Sequence, residues 1–177
     1  MDPHINFMAK VKLYQTILEK TELYRQAWTE NVKPLLRNTL ETINRESGLE
    51  GEIIEIDELA NIGLVQFSLG TEASGIAAKI NEKLQKPLIK SKGSLVYQQL
   101  FNGKILVLIH YPYIEGFGEP RTPKSIAIYR PEEITEPFII RHLEEFMQEI
   151  INWEDYDDDA PQKIGYHMAF GGDKPKP

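Results

Sequence analysis

Apolar residues in this chain recur every three to four positions near both ends and mostly every second position between them. From Phe7 to Trp28, the residues Phe7, Val11, Tyr14, Leu18 and Trp28, flanked by Leu13, Ile17, Tyr24 and Ala27, stand at helical spacing among Lys, Glu and Gln. This predicts an amphipathic helix with an aromatic stripe. Pro34 lacks the amide a helix interior uses and disfavours helical backbone at Lys33. A kink or restart is therefore expected near Thr29 to Asn31, with Thr29 or Asn31 as cap. A second helix carries Val32, Leu35, Leu36, Leu40 and Ile43 on one face and ends at Ser47-Gly48, where glycine accepts left-handed backbone.

The period then changes to two. Glu52 to Asp57 and Ile62 to Leu69 predict strands, the second alternating Val65, Phe67 and Leu69 with Gln66 and Ser68. From Thr71 to Lys86 the spacing of Ala73, Ile76, Ala77, Ile80 and Leu84 predicts a helix that stops before Pro87, although Gly75 weakens it. Leu95 to Phe101 and Lys104 to Tyr111 flank Asn102-Gly103, a hairpin signal of the type I′ kind. Ile105 to Ile109 are apolar at every position, as in a central strand covered on both faces. A fifth strand, Ser125 to Arg130, precedes a last helix with Ile139, Leu143, Phe146, Ile150 and Trp153 inward, capped at Thr135 and stapled by Ile134 and Ile139.

The expected fold class is α+β, a mainly antiparallel five-stranded sheet flanked by helices in the order α-α-β-β-α-β-β-β-α. That order resembles roadblock or profilin-like domains, and less closely acidic secretion chaperones. The expected organisation is an N-terminal amphipathic helix over residues 1–31, one α+β domain over 32–153, and an acidic linker with an apolar tail over 154–177. A chain of 177 residues buries roughly 70% of its unfolded surface on folding as one domain, so a core is available without metal or disulfide.

Charge and composition narrow the function classes. The chain has no cysteine, which removes disulfides, thiolate nucleophiles and cysteine-ligated metal centres and fits a reducing compartment. The first residues lack the pattern of a signal peptide, and no apolar run approaches the ~20 residues of a membrane span. The expected location is cytoplasmic, without a membrane partner. The formal charge of -7 is concentrated, since Glu144, Glu145, Glu149, Glu154, Asp155, Asp157, Asp158 and Asp159 lie in one stretch without Lys or Arg. Such a stretch repels phosphate backbones, so nucleic acid is not an expected partner and a basic protein surface is.

Beyond the acidic run lies an apolar island in which Ile164, Tyr166, Met168 and Phe170 alternate, the pattern of a docking peptide for a sheet edge or groove. The long segment Tyr111 to Pro123 concentrates Tyr113, Phe117 and Arg121, residue types that anchor interfaces. With Tyr24 and Trp28 of the first helix, these form the candidate partner-binding set. The alternative for the 111–123 loop is a plain strand connection with Tyr111 and Phe117 as core.

Catalytic chemistry has little support. His4, His110, His142 and His167 make no metal-ligand spacing, Asp155 to Asp159 lack the glycine and distal Glu of a calcium loop, and no GxSxG motif occurs. No cofactor is expected. If the chain is an enzyme, His110, His142 and Arg121 are the candidate acid, base and anion binder. The sequence favours a non-enzymatic interaction component, a subunit, adaptor or chaperone-like part of an assembly, with a homo-oligomer as a further option. The alternatives are an acidic inhibitor, immunity or secretion-chaperone type binder of a basic protein, a small-molecule-sensing domain, and an enzyme.

Overall fold

The computed structural model describes residues 4–156. Helix α1 (Ile5–Ala27), a single π turn (Trp28–Val32) and helix α2 (Lys33–Ser47) follow without a break. Trp28, Val32 and Lys33 all keep helical backbone angles, and the Lys33 amide reaches back five residues to the Trp28 carbonyl. Pro34 is thus accommodated by a widened turn, the arrangement that relieves a proline ring against the preceding turn. The kink or restart expected near Thr29 to Asn31 is thus a π turn at that place within one helix roughly 65 Å long at 1.5 Å per residue, and neither Thr29 nor Asn31 caps a new helix. At its far end, Gly48 takes left-handed backbone (φ 68°) as expected. The Asn44 side chain donates to the Gly51 carbonyl (2.7 Å) and accepts from the Gly51 amide (2.8 Å), turning the chain into the sheet.

The eight strands are β1 (Glu52–Leu59), β2 (Ile62–Ser68), β3 (Thr71–Asn81), β4 (Leu84–Ser91), β5 (Ser94–Gln99), β6 (Ile105–His110), β7 (Tyr113–Ile114) and β8 (Lys124–Tyr129). The five strands expected from sequence form one antiparallel sheet in the order β1-β2-β5-β6-β8. Helix α3 (Glu136–Glu154) closes the described chain. Ile134 and Ile139 are both buried at its start, but Thr135 makes no side-chain cap bond. The fold is therefore α+β, as its sequence patterning implies.

The expected helix over Thr71 to Lys86 is instead the hairpin β3–β4, and with it goes the middle helix on which the roadblock or profilin-like order depended. Ile76, Ala78 and Ile80 alternate as well as Ala73, Ile76, Ala77, Ile80 and Leu84 recur at helical spacing, so the pattern itself is degenerate. Local geometry then favours the ribbon. Gly75 takes φ +79°, where a helix has no place for it, and the Asn81 side chain accepts from the Lys83 amide (2.9 Å) to close the turn. Pro87 is tolerated opposite Ala77, where the other edge of β4 is unpaired, since β7 pairs only with Lys90 and Ser91. The ribbon continues β2 and β5 past one end of the sheet, held there by the Leu69 amide to Gly93 (3.1 Å) and the Lys92 amide to Gly70 (2.9 Å).

Alternation decides which side of the sheet is core. Val65 and Phe67 of β2, Leu95 and Tyr97 of β5, and Ile105, Val107 and Ile109 of β6 point to one face. There they pack with Leu36 and Leu40 of α2 and with Ile139, Leu143, Phe146 and Ile150 of α3. The rings of Phe67 and Phe146 meet edge-on at 6.4 Å.

Candidate interaction surfaces

Three features stand outside that core. The first is α1. Among the described residues, only its last turns touch the domain. A Cβ placed on Gly103, at φ +76° in the β5–β6 turn, would lie 2.6 Å from the Tyr24 Cβ and 3.0 Å from the Thr21 carbonyl. The Arg25 guanidinium donates to the Phe101 carbonyl (2.8 Å). Asn102 has no positive φ, so the turn is a type I turn followed by a left-handed Gly103 rather than type I′, and that glycine allows the hairpin to press on the helix. No residue of α1 is buried, and Phe7 (66% exposed), Tyr14 (62%) and Leu18 (51%) stand in solvent. Of the two α1-region residues expected to bind a partner, Tyr24 is half-buried against the turn, while Trp28 is 2% exposed and belongs to the protein's own core.

The second feature is the sheet face opposite the helices, where Ile54, Ile56, Leu64, Val96, Leu106, Leu108 and Ile128 alternate outward. Neither α2 nor α3 packs there, and Ile128 is 56% exposed. The third is the β3–β4 ribbon, which exposes Ile80 and Leu84. Its base is held by Lys90, which pairs with Glu72 (2.8 Å) and Glu154 (2.7 Å) and lies 5.5 Å over the Trp153 ring. Burial works against the Lys90 charge, but Glu154 and Glu72 outweigh it and raise its pKa.

The segment from Tyr111 to Pro123 is largely tied down. Tyr111 and Ile114 are buried, β7 pairs with β4, and Phe117 is half-buried in a bridge to Ile114. Arg121 lies over the Tyr111 ring, 3.9 Å from its centroid. Tyr113 remains exposed. The apolar island with Ile164, Tyr166, Met168 and Phe170 lies outside the described residues.

The histidines are separated by the sheet itself. His142 of α3 is 1% exposed, with Nδ1 3.0 Å from the Tyr97 hydroxyl and Nε2 3.1 Å from that of Tyr129. Burial, and then Arg141, push its pKa down to about 4, so the ring is neutral at pH 7 and one nitrogen donates while the other accepts. With Tyr97 fully buried and Tyr129 half-buried, the arrangement that leaves no buried hydrogen unpaired has Tyr97 donating to Nδ1 and Nε2–H donating to Tyr129. His110 occupies an even position of β6, with Leu106 and Leu108, and so points away from the face that holds Tyr97 and His142. Arg121 is on the Tyr111 ring. These three residues do not converge on one cleft.

The acidic stretch is also less bare than its sequence. Lys124 of β8 pairs with Glu149 (2.6 Å) and Glu145 (2.9 Å), which raise its pKa, and Lys90 reaches Glu154. A cavity of about 190 Å³ opens beside the π turn, lined by Trp28, Lys33, Asp57, Asn61 and Gln99 among others. It is smaller than the usual ligand pocket of about 300–1,000 Å³. Its Lys33 is engaged by Asp57 and by Glu55 (3.2 Å), and Gln99 accepts from the Gly63 amide (3.2 Å). Among the described residues no helix is long and apolar enough to cross a membrane.

Comparison with known proteins returns no match: no family model, no curated protein and no solved structure matches this chain.

Proposed function

We propose that the protein is a non-enzymatic interaction component of a larger cytoplasmic assembly, with α1 and the C-terminal apolar island as its contact elements. The observation that carries this reading is a helix of 23 residues that buries none of them while presenting Phe7, Met8, Leu13, Tyr14, Ile17 and Leu18 to solvent. Most of the stability of a protein helix comes from packing its apolar side chains, and a helix that carries them on every side is one that other protein ordinarily surrounds. The half-covered sheet face adds a second apolar surface on the same domain. An acidic mask for a basic protein draws less support, because Lys124 and Lys90 already pair with Glu145, Glu149 and Glu154.

Affinity co-purification from the source cells tests the reading. Full-length protein, the Tyr14→Glu/Leu18→Glu variant and a chain stopped after Ala160 are compared by mass spectrometry. A partner retained by the first and lost by either of the others is the expected result. Equal retention by all three, or no partner with any, overturns it.

A further inference from the structure

We infer that the cavity beside the π turn binds a small neutral molecule with a cyclic amide edge, an N–H and a C=O side by side. The inference goes beyond the reading of α1 as a contact element and uses no residue of α1.

The cavity is lined by buried side chains whose polar groups are unspent. Gln99 of β5 is 2% exposed, and its Oε1 accepts from the Gly63 amide (3.2 Å). That bond fixes the carboxamide, with its oxygen toward β2 and its NH2 group left over. The nitrogen has no hydrogen-bond partner among the described residues and is not sealed from open space, so it faces the cavity that Gln99 lines. The same holds for the indole N–H of Trp28, also 2% exposed. Side chains this buried ordinarily have their donors satisfied, and two such donors on one small cavity mark the place of an acceptor atom.

An acceptor stands beside them. Asp57 gives Oδ2 to Lys33, and its Oδ1 has no partner among the described residues. Asp57 Oδ1 and Trp28 Nε1 border the point that a Cβ on Gly63 would occupy, 2.5 Å and 3.1 Å from it. The missing side chain of Gly63 thus opens a space between a donor and an acceptor, which a ligand fills by presenting an acceptor and a donor on one edge. A lactam has that edge, because its ring holds the N–H and C=O on the same side, whereas a trans secondary amide turns them apart.

Charge and size limit the rest of the molecule. Asp57, Lys33, Glu55 and Arg37 alternate in sign along one chain of ion pairs, through Lys33 to Glu55 (3.2 Å) and Arg37 to Glu55 (2.8 Å). An anion or a cation therefore finds no uncompensated charge there. One water-sized group fills ~30 Å³, so the cavity of about 190 Å³ takes roughly six, the size of a single ring. Trp28 and the exposed Leu59 supply apolar lining for the ring carbons.

Titration of the isotope-labelled full chain with 2-piperidone, a simple lactam, tests this by proton–nitrogen correlation spectra. The Trp28 indole and Gln99 carboxamide signals are expected to shift and saturate at about 1–10 mM, while the Trp153 indole stays in place. N-methyl-2-piperidone keeps the ring and the acceptor but lacks the N–H, and should bind about tenfold more weakly. Gly63→Ala puts a methyl group between the donor and the acceptor and should remove the shifts. Should that variant fail to fold, Asp57→Ala, at a half-exposed side chain, should make the two lactams bind alike. Four outcomes overturn the inference. They are no saturating shift up to about 100 mM, which means that the cavity holds water only, equal binding of both lactams by the wild type, a lasting preference between them in Asp57→Ala, and tighter binding of acetate than of 2-piperidone. Co-purification reads the contacts of α1 separately, so a failure here leaves the proposed function standing.

Discussion

The two halves of the long N-terminal helix are both rich in large apolar residues and have opposite fates: α2 gathers them on one face, whereas α1 carries them on every side. In α2, Leu36 and Leu40 are at most 1% exposed beneath the sheet, and Arg37 and Lys33 anchor the outer edge to Glu55 of β1. In α1, Phe7, Met8, Leu13, Tyr14, Ile17 and Leu18 stand in water on different sides of the helix, so the expected single amphipathic stripe is corrected to apolar residues all round. The difference lies in what is opposite the helix. The sheet ends at the Asn102-Gly103 turn, and the helix continues past it. Apolar content alone therefore does not bring burial; a single apolar face set opposite the sheet does.

The sharpest way to break the comparison is to truncate both halves. Leu36→Ala leaves a cavity in the core and should cost about 2–5 kcal/mol, whereas Leu18→Ala should change monomer stability by less than about 0.5 kcal/mol. Urea midpoints check both. Comparable losses would mean that α1 is packed at home. At the joint between the halves, Gly103→Ala meets both left-handed backbone and the Tyr24 side chain and should cost about 1–3 kcal/mol. It should also loosen the last turns of α1, visible as faster amide exchange at Thr21 to Arg25.

Acid should weaken only the half that rests on the core. The His142 pKa is about 4 in the folded protein, below the 6.5 of a free imidazole. The unfolded chain therefore binds a proton first as pH falls, and the stability this group contributes is whole above pH 6.5 and lost progressively toward pH 4. Between pH 6.5 and 5 the loss is about 2 kcal/mol, and His142→Gln should flatten that part of the urea-midpoint profile. An unchanged profile in the variant would mean that the ring is charged in the fold. Smallest of all, Tyr166→Ala with Phe170→Ala should leave the urea midpoint within about 0.5 kcal/mol of wild type while reducing partner retention. A large loss would make the island part of the core.

All five strands of the main sheet and α3 were legible because their apolar periods agree with what finally covers them. The 71–91 ribbon was not, because alanines and isoleucines there satisfy both periods and the choice falls to Gly75 and to the strands on either side. The β5–β6 hairpin was legible in place but not in turn type, which Gly103 settles by pressing on Tyr24. For the candidate sites, Tyr97 and Tyr129 flank His142 from 45 and 13 residues away. A signal existed, since His142 lies on the Ile139–Phe146 stripe and both tyrosines fall on the helix-facing side of their strands. Nothing in local spacing ruled out His110, which strand parity alone turns away. That Trp28 is core while Tyr14 is free depends on where the sheet stops, a length that emerges only when the strands pair.

The π turn at Trp28–Val32 holds one residue more than an α turn would need. Removing a single residue there would leave α2 seated on the sheet and swing the azimuth of α1 by about 100°, carrying Phe7 and Leu18 away from the side on which Phe101 stands. The bulge thus acts as a vernier between two rigid bodies, fixing the bearing of one relative to the other in steps of single residues.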